Sequence, residues 1–217
     1  MEIISLKEIK KSFRRKNVLH NVNLSVKEGE IIGLIGKSGS GKSVLMKIII
    51  GFLEPDKGII TINNLTKNKI NFSMQGNSIY DYLTVKQNLR YFSKMYGLSR
   101  KERKIIIPEI INNLELKDFE NIIVKKLSGG TQKRVDIGCA MINDPNILIL
   151  DEPFLGLDPE LVKKLSTFIW NLNRRGKTII ISSHDIPELS KICSRFMLIK
   201  NGDLILIKKD ELAGVYK

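Results

Sequence analysis

The run Gly36-Lys37-Ser38-Gly39-Ser40-Gly41-Lys42-Ser43 constrains this chain more than any other stretch. It follows Ile31-Ile32-Gly33-Leu34-Ile35, an apolar strand within Glu30 to Ile35, and the chain continues from Val44 to Ile50 as a helix. Strand, glycine loop and helix in that order form a phosphate-binding loop. Glycines let the backbone turn successive N–H groups toward one point, at a helix N-terminus whose dipole also favours negative charge. Lys42 supplies a mobile positive charge for the β- and γ-phosphates of a nucleotide, and the Ser43 hydroxyl is placed to hold Mg²⁺. Gly36 to Val44 is therefore the expected nucleotide-binding segment.

Two later stretches carry related chemistry. Ile147-Leu148-Ile149-Leu150-Asp151-Glu152 is a continuous apolar run, suited to a strand buried on both faces of a parallel sheet, and it ends in adjacent carboxylates. Successive strand side chains point to opposite faces, so the two acids have different jobs. Ser128-Gly129-Gly130 puts a capping serine and two glycines ahead of a helical stretch, Gln132 to Ile142, which makes a second phosphate-binding helix N-terminus. One nucleotide does not need two such cradles from one chain.

Leu127-Ser128-Gly129-Gly130, about twenty residues ahead of Asp151-Glu152, together with the phosphate loop, resembles the ATP-binding cassette ATPases over nearly the whole chain. The resemblance implies that Asp151 supports Mg²⁺ and that Glu152 is the general base that polarises the attacking water. Gln75, in Phe72-Ser73-Met74-Gln75-Gly76, then touches Mg²⁺ and water and reports site occupancy to a partner. His184, at the end of Ile179-Ile180-Ile181-Ser182-Ser183-His184, contacts the γ-phosphate, and Asp158, in Gly156-Leu157-Asp158-Pro159, reaches the opposing subunit. Phe13 stands where the family often carries an aromatic residue, commonly Tyr, that stacks on adenine; stacking needs only a π face. Thr131 follows the signature where the family often has Gln. By the same resemblance Ser128, Gly129 and Gly130 close over ATP held by a second cassette subunit, in a homo- or heterodimer with two sandwiched nucleotides. With Glu152 intact, the implied activity is ATP hydrolysis.

The expected fold class is α/β: a RecA-like P-loop core with a mainly parallel sheet, an N-terminal antiparallel β-subdomain and an inserted helical subdomain. Glu2 to Lys10 and Val18 to Val26 read as antiparallel strands, with Gly58 to Ile62 and Ile70 to Met74 adding to the sheets. Strands at Ile147 to Asp151, Thr178 to Ser182 and Phe196 to Ile199 alternate with helices, as a parallel sheet requires. Asn201-Gly202-Asp203 is a hairpin turn into Leu204 to Ile207. Thr84 to Tyr96 reads as helix, and Leu161, Leu165, Phe168 and Leu172 form the buried stripe of another, with Trp170 off it. The expected organisation is one domain over residues 1–217, with the helical subdomain at about 76–135.

Composition narrows the partners. Cys139 and Cys193 are the two cysteines, far apart in apolar patterns, and His20 and His184 the two histidines, so neither a disulfide nor a zinc cluster is expected. The net charge of +13 is spread over short runs such as Arg14-Arg15-Lys16 and Arg100-Lys101 with Arg103-Lys104, which read as solvated faces. No direct contact with nucleic acid is expected. No apolar stretch approaches the ~18 residues needed to span a bilayer and no signal region is seen. The segment Ile79-Tyr80-Asp81-Tyr82-Leu83-Thr84-Val85-Lys86-Gln87-Asn88-Leu89, then Tyr96-Gly97-Leu98, resembles cassette ATPases of exporter-type systems, with Gln87 in place of the common Glu. That implies a subunit peripheral to the cytoplasmic face of the membrane, driving a separate integral membrane permease. Tyr80 and Tyr82 suit such an interface, being apolar with a polar tip. The alternative is a soluble cassette ATPase acting on nucleic acid or ribosomes. Against it, only about eighty residues separate Ser43 from Leu127, too few for a long coiled coil, and the chain holds one cassette.

Overall fold

The computed structural model describes residues 1–14, 16–63, 70–74 and 78–214. Its centre is a six-stranded sheet in which three five-residue apolar strands are buried along their whole length. These are β3 (Ile31–Ile35), β6 (Ile147–Asp151) and β7 (Thr178–Ser182). Their side chains alternate between two cores. Ile31, Ile35, Leu148, Leu150, Ile179 and Ile181 face one, while Ile32, Leu34, Ile147, Ile149 and Ile180 face the other. Each such side chain, fully removed from water, contributes roughly 1.5–3 kcal/mol, so a polar residue on either face would be costly.

The sheet order is β5-β6-β7-β3-β8-β9, with β5 (Ile70–Ser73) and β8 (Arg195–Lys200) also parallel to their neighbours. Only β9 (Asp203–Ile207) runs antiparallel, joined to β8 through Asn201 and Gly202, both at positive φ (52° and 82°), as the Asn-Gly turn predicts. A second sheet, β2-β1-β4, is antiparallel and three-stranded: β1 (Glu2–Phe13), β2 (Lys16–Lys27) and β4 (Lys57–Ile62). β1 runs three residues past its expected end and pairs Phe13 with Lys16. Register shifts, with Glu8 at φ 53°, absorb the irregularity along the way. The apolar side of this sheet and helix α1 (Lys42–Ile49) share one core.

The other core is helical. It holds α2 (Val85–Met95), α3 (Arg100–Asn113), α4 (Gly129–Met141), α5 (Pro159–Arg174) and α6 (Ile186–Ile192). On α5 the fully buried stripe is Val162, Leu165, Ile169 and Leu172. Leu161 and Phe168 flank it half-buried, because the helix is rotated slightly from the face the sequence suggested. Trp170 is exposed, as expected, under the guanidinium of Arg174. Most of these helices start on a side-chain cap: Thr84 with Gln87 and Ser99 with Glu102 form capping boxes, while Ser128 caps α4 and Asp158 caps α5. The departure at Gln87 thus has a local job, since its Oε1 accepts from the Thr84 N–H at 2.8 Å.

Candidate nucleotide site

Among the described helices of eight or more residues, α1 alone begins without a side-chain cap. Its N-cap is Gly41, at φ 111°, which has no side chain to satisfy the first N–H groups. Those donors are left for an external anion, and no acidic residue sits in the first turn to compete. Gly36 is required for another reason: a Cβ there would lie 2.8 Å from the Ile199 carbonyl oxygen.

β7 lies between β6 and β3, so the ends of the three strands bring their loops to one edge. There a cavity of about 780 Å³ is lined by the whole of Gly36 to Val44, with Val18, Asp151, Glu152, Leu155 and His184. Lys42 curls back over the loop, its Nζ donating to the carbonyls of Gly36 (2.7 Å) and Lys37 (3.4 Å) and standing 3.9 Å from Glu152 Oε1. Ser43 Oγ donates to Asp151 Oδ2 at 2.6 Å, and Ser182 Oγ donates to the other oxygen of that carboxylate.

Glu152 sits at φ 50°, a conformation costing a non-glycine residue about 1–3 kcal/mol. Its N–H is shared between the carbonyl and hydroxyl oxygens of Ser182, each at 3.1 Å, which hold the turn. The turn aims the carboxylate into the cavity instead of along the strand. His184 Nδ1 comes within 2.9 Å of its buried Oε2 without the alignment of a hydrogen bond, so that oxygen keeps its accepting capacity. The two adjacent acids therefore divide as expected: Asp151 faces Ser43 and Glu152 faces Lys42 and His184.

The remaining expected residues lie elsewhere. Ser128, Gly129, Gly130 and Asp158 do not line this cavity. Ser128 Oγ accepts from the Thr131 N–H at 3.3 Å, and Asp158 Oδ1 from the Leu161 N–H at 2.9 Å. The two segments meet at Gly130, where a Cβ would lie 2.6 Å from the Gly156 carbonyl oxygen. Phe13, at the end of β1, is outside the lining; its ring is 44% exposed, with the Lys11 ammonium 5.6 Å from its centre. Gln75 lies outside the described residues. Among the described residues there is no group of three or more His, Cys, Asp or Glu side chains fit to hold a metal ion. A cation here would be held by one carboxylate and one hydroxyl, completed by phosphate oxygens and water, a donor set suited to Mg²⁺.

Sequence reasoning missed two groups beneath the site. Lys133 and Asp136, three apart on α4, belong to none of the motifs above, yet both are buried with Nζ and Oδ2 3.9 Å apart. Burial pushes the Lys133 ammonium below its ordinary range and the Asp136 carboxyl above its own. Only the unusual demand of a helix buried all round could have signalled them.

The family model described as "ABC transporter" matches residues 19–155. The chain is 33% identical over 216 residues to the ABC transporter ATP-binding protein NatA of Bacillus subtilis, covering 94% of this chain and 88% of the relative. To the Nod factor export ATP-binding protein I of Sinorhizobium fredii it is 33% identical, over 94% of this chain and 62% of the relative. Among solved structures, a dimeric post-hydrolysis ATP-binding cassette holding ADP and Pi superposes with a TM-score of 0.88 at 31% identity, over 95% of this chain and 99% of that one.

Proposed function

This chain belongs to the ABC transporter family, and from that premise we propose how its site hydrolyses ATP and where the work goes. It is an ATP-binding and ATP-hydrolysing subunit that powers transport through a separate membrane subunit. The observation that carries the catalytic reading is the placement of the Glu152 carboxylate, fixed by a left-handed turn between Lys42 and His184 at the mouth of the phosphate loop.

The loop N–H groups and Lys42 bind the β- and γ-phosphates, with Lys37, Ser38, Gly39 and Ser40 closing round them. Ser43 and Asp151, with Gln75, would hold Mg²⁺, which would supply charge neutralisation to the phosphates. Glu152, with an accepting oxygen free, takes the proton of the attacking water; His184 steadies the γ-phosphate from the other side. Phe13 offers an exposed ring for the adenine.

Ser128, Gly129 and Gly130, together with Asp158, face a second cassette subunit and close over its nucleotide. The separation of these residues from the chain's own cavity supports this reading, as does the dimer formed by the ADP-bound relative. Residues 76–135 serve as an inserted subdomain that receives the membrane subunit on the cytoplasmic face, with export as the direction, in keeping with the Nod factor relative. Among the described residues no helix is long and apolar enough to cross a membrane.

Glu152→Gln keeps the shape of the side chain and removes its basicity. Turnover should fall by on the order of a hundredfold or more while MgATP traps a dimer, read by size-exclusion chromatography with light scattering. A variant that stayed monomeric in saturating MgATP would count against the sandwich.

A further inference from the structure

We propose that Lys133 and Asp136 are positioning residues that tie the hydrolytic edge of the site to the signature helix. The inference rests on the roles given above to Asp151 and Glu152. Lys133, 7% exposed, sends Nζ to two backbone carbonyls, Met74 at 3.1 Å and Asp151 at 2.9 Å. It therefore bridges the ends of β5 and β6. Asp136, 2% exposed, accepts from the Ser73 hydroxyl through one oxygen and from the Ser78 N–H at 2.9 Å through the other.

Together the pair grips both flanks of segment 74–78, which carries Gln75, and the backbone oxygen of Asp151. Glu152 follows directly in the chain. An apolar pair of the same volume could fill this space, but it would strip these hydrogen bonds from four polar groups. What apolar side chains could not do is fix four specific backbone and hydroxyl groups in relation to one another.

The geometry gives the pair a mechanical meaning. Helix α4 rises about 1.5 Å per residue, so Lys133 lies only about 6 Å along the axis from Gly129. One rigid helix therefore presents its N-terminus to the partner's nucleotide and its side chains to the machinery of its own. A small shift of α4 when the partner's ATP docks moves the Asp151 carbonyl and both flanks of segment 74–78 as one piece.

The test uses the full chain. Lys133→Met removes the ammonium at similar length, and Lys133→Met/Asp136→Asn leaves no unpaired buried charge if the single variant fails to fold. Ser73→Ala releases one grip without touching a charge. The expected result is a fall in kcat of about a hundredfold for the Lys133 variants. Binding of a fluorescent ATP analogue stays within about threefold. A merely structural role would instead lower binding and kcat together. The inference is overturned if the double variant, folded by circular dichroism, turns over like the wild type, or if its loss of rate matches its loss of binding. Lys42→Ala runs alongside: full nucleotide binding by that variant would overturn the site reading itself, whereas a wild-type rate in the Lys133 variants overturns only the clamp.

Discussion

A Cβ on Gly129 meets no heavy atom within 4 Å, whereas one on Gly130 would lie 2.6 Å from the Gly156 carbonyl oxygen. Neighbouring glycines thus answer to different constraints: the fold demands the second and leaves open space beside the first. Gly130→Ala should destabilise by about 1–3 kcal/mol, seen as a fall in Tm of several degrees. Gly129→Ala should leave Tm unchanged but weaken ATP-driven dimerisation by about tenfold or more, because a methyl group blocks close approach of phosphate to the backbone. Dimerisation at wild-type ATP concentrations by Gly129→Ala would refute that role. The sequence displayed most of this scale openly: Lys42, Ser43, Asp151, Glu152 and His184 share one cavity as their motifs imply. It hid Lys133 and Asp136, since a charged pair three residues apart looks solvated until the helix carrying it is seen to be enclosed.

At the level of elements, caps decide where helices begin and also complicate the reading of functional residues. Asp158 is the N-cap of α5 as well as a residue assigned to the partner subunit. Asp158→Ala should therefore cost about 1 kcal/mol of stability, while Asp158→Asn, an equally good cap, should keep Tm and lose only the charge. If both variants melt alike, the cap contributes nothing. The strands were legible because β3, β6 and β7 are buried on both faces and so read as unbroken apolar runs. The full length of β1 was not, because its last residues, Lys11 to Phe13, are half-buried or exposed and carry no apolar alternation. Helix α4 lacked an amphipathic stripe for the opposite reason: both its charged and apolar faces are inside.

Across the whole molecule, the aromatic surface of the helical arm is the feature that points outward. Tyr82 is 74% exposed with Lys125 donating to its hydroxyl at 2.9 Å, while Tyr80 stacks edge-on against Tyr91 with centroids 4.6 Å apart. Tyr96, the C-cap of α2, sits at the rim of the core, 36% exposed. Tyr80→Ala/Tyr82→Ala should cost about 1 kcal/mol of ring contact and leave basal ATPase within about twofold. The same variant should no longer co-purify with its membrane subunit; full retention would remove these tyrosines from the interface. The division of the apolar residues into two cores by one sheet has a further effect. The anchor of the phosphates belongs to the side shared by α1 and the antiparallel strands, and the arm belongs to the other. Partial opening of the helices on one side, the kind of event hydrogen exchange records, can therefore leave the core beneath the phosphate loop intact.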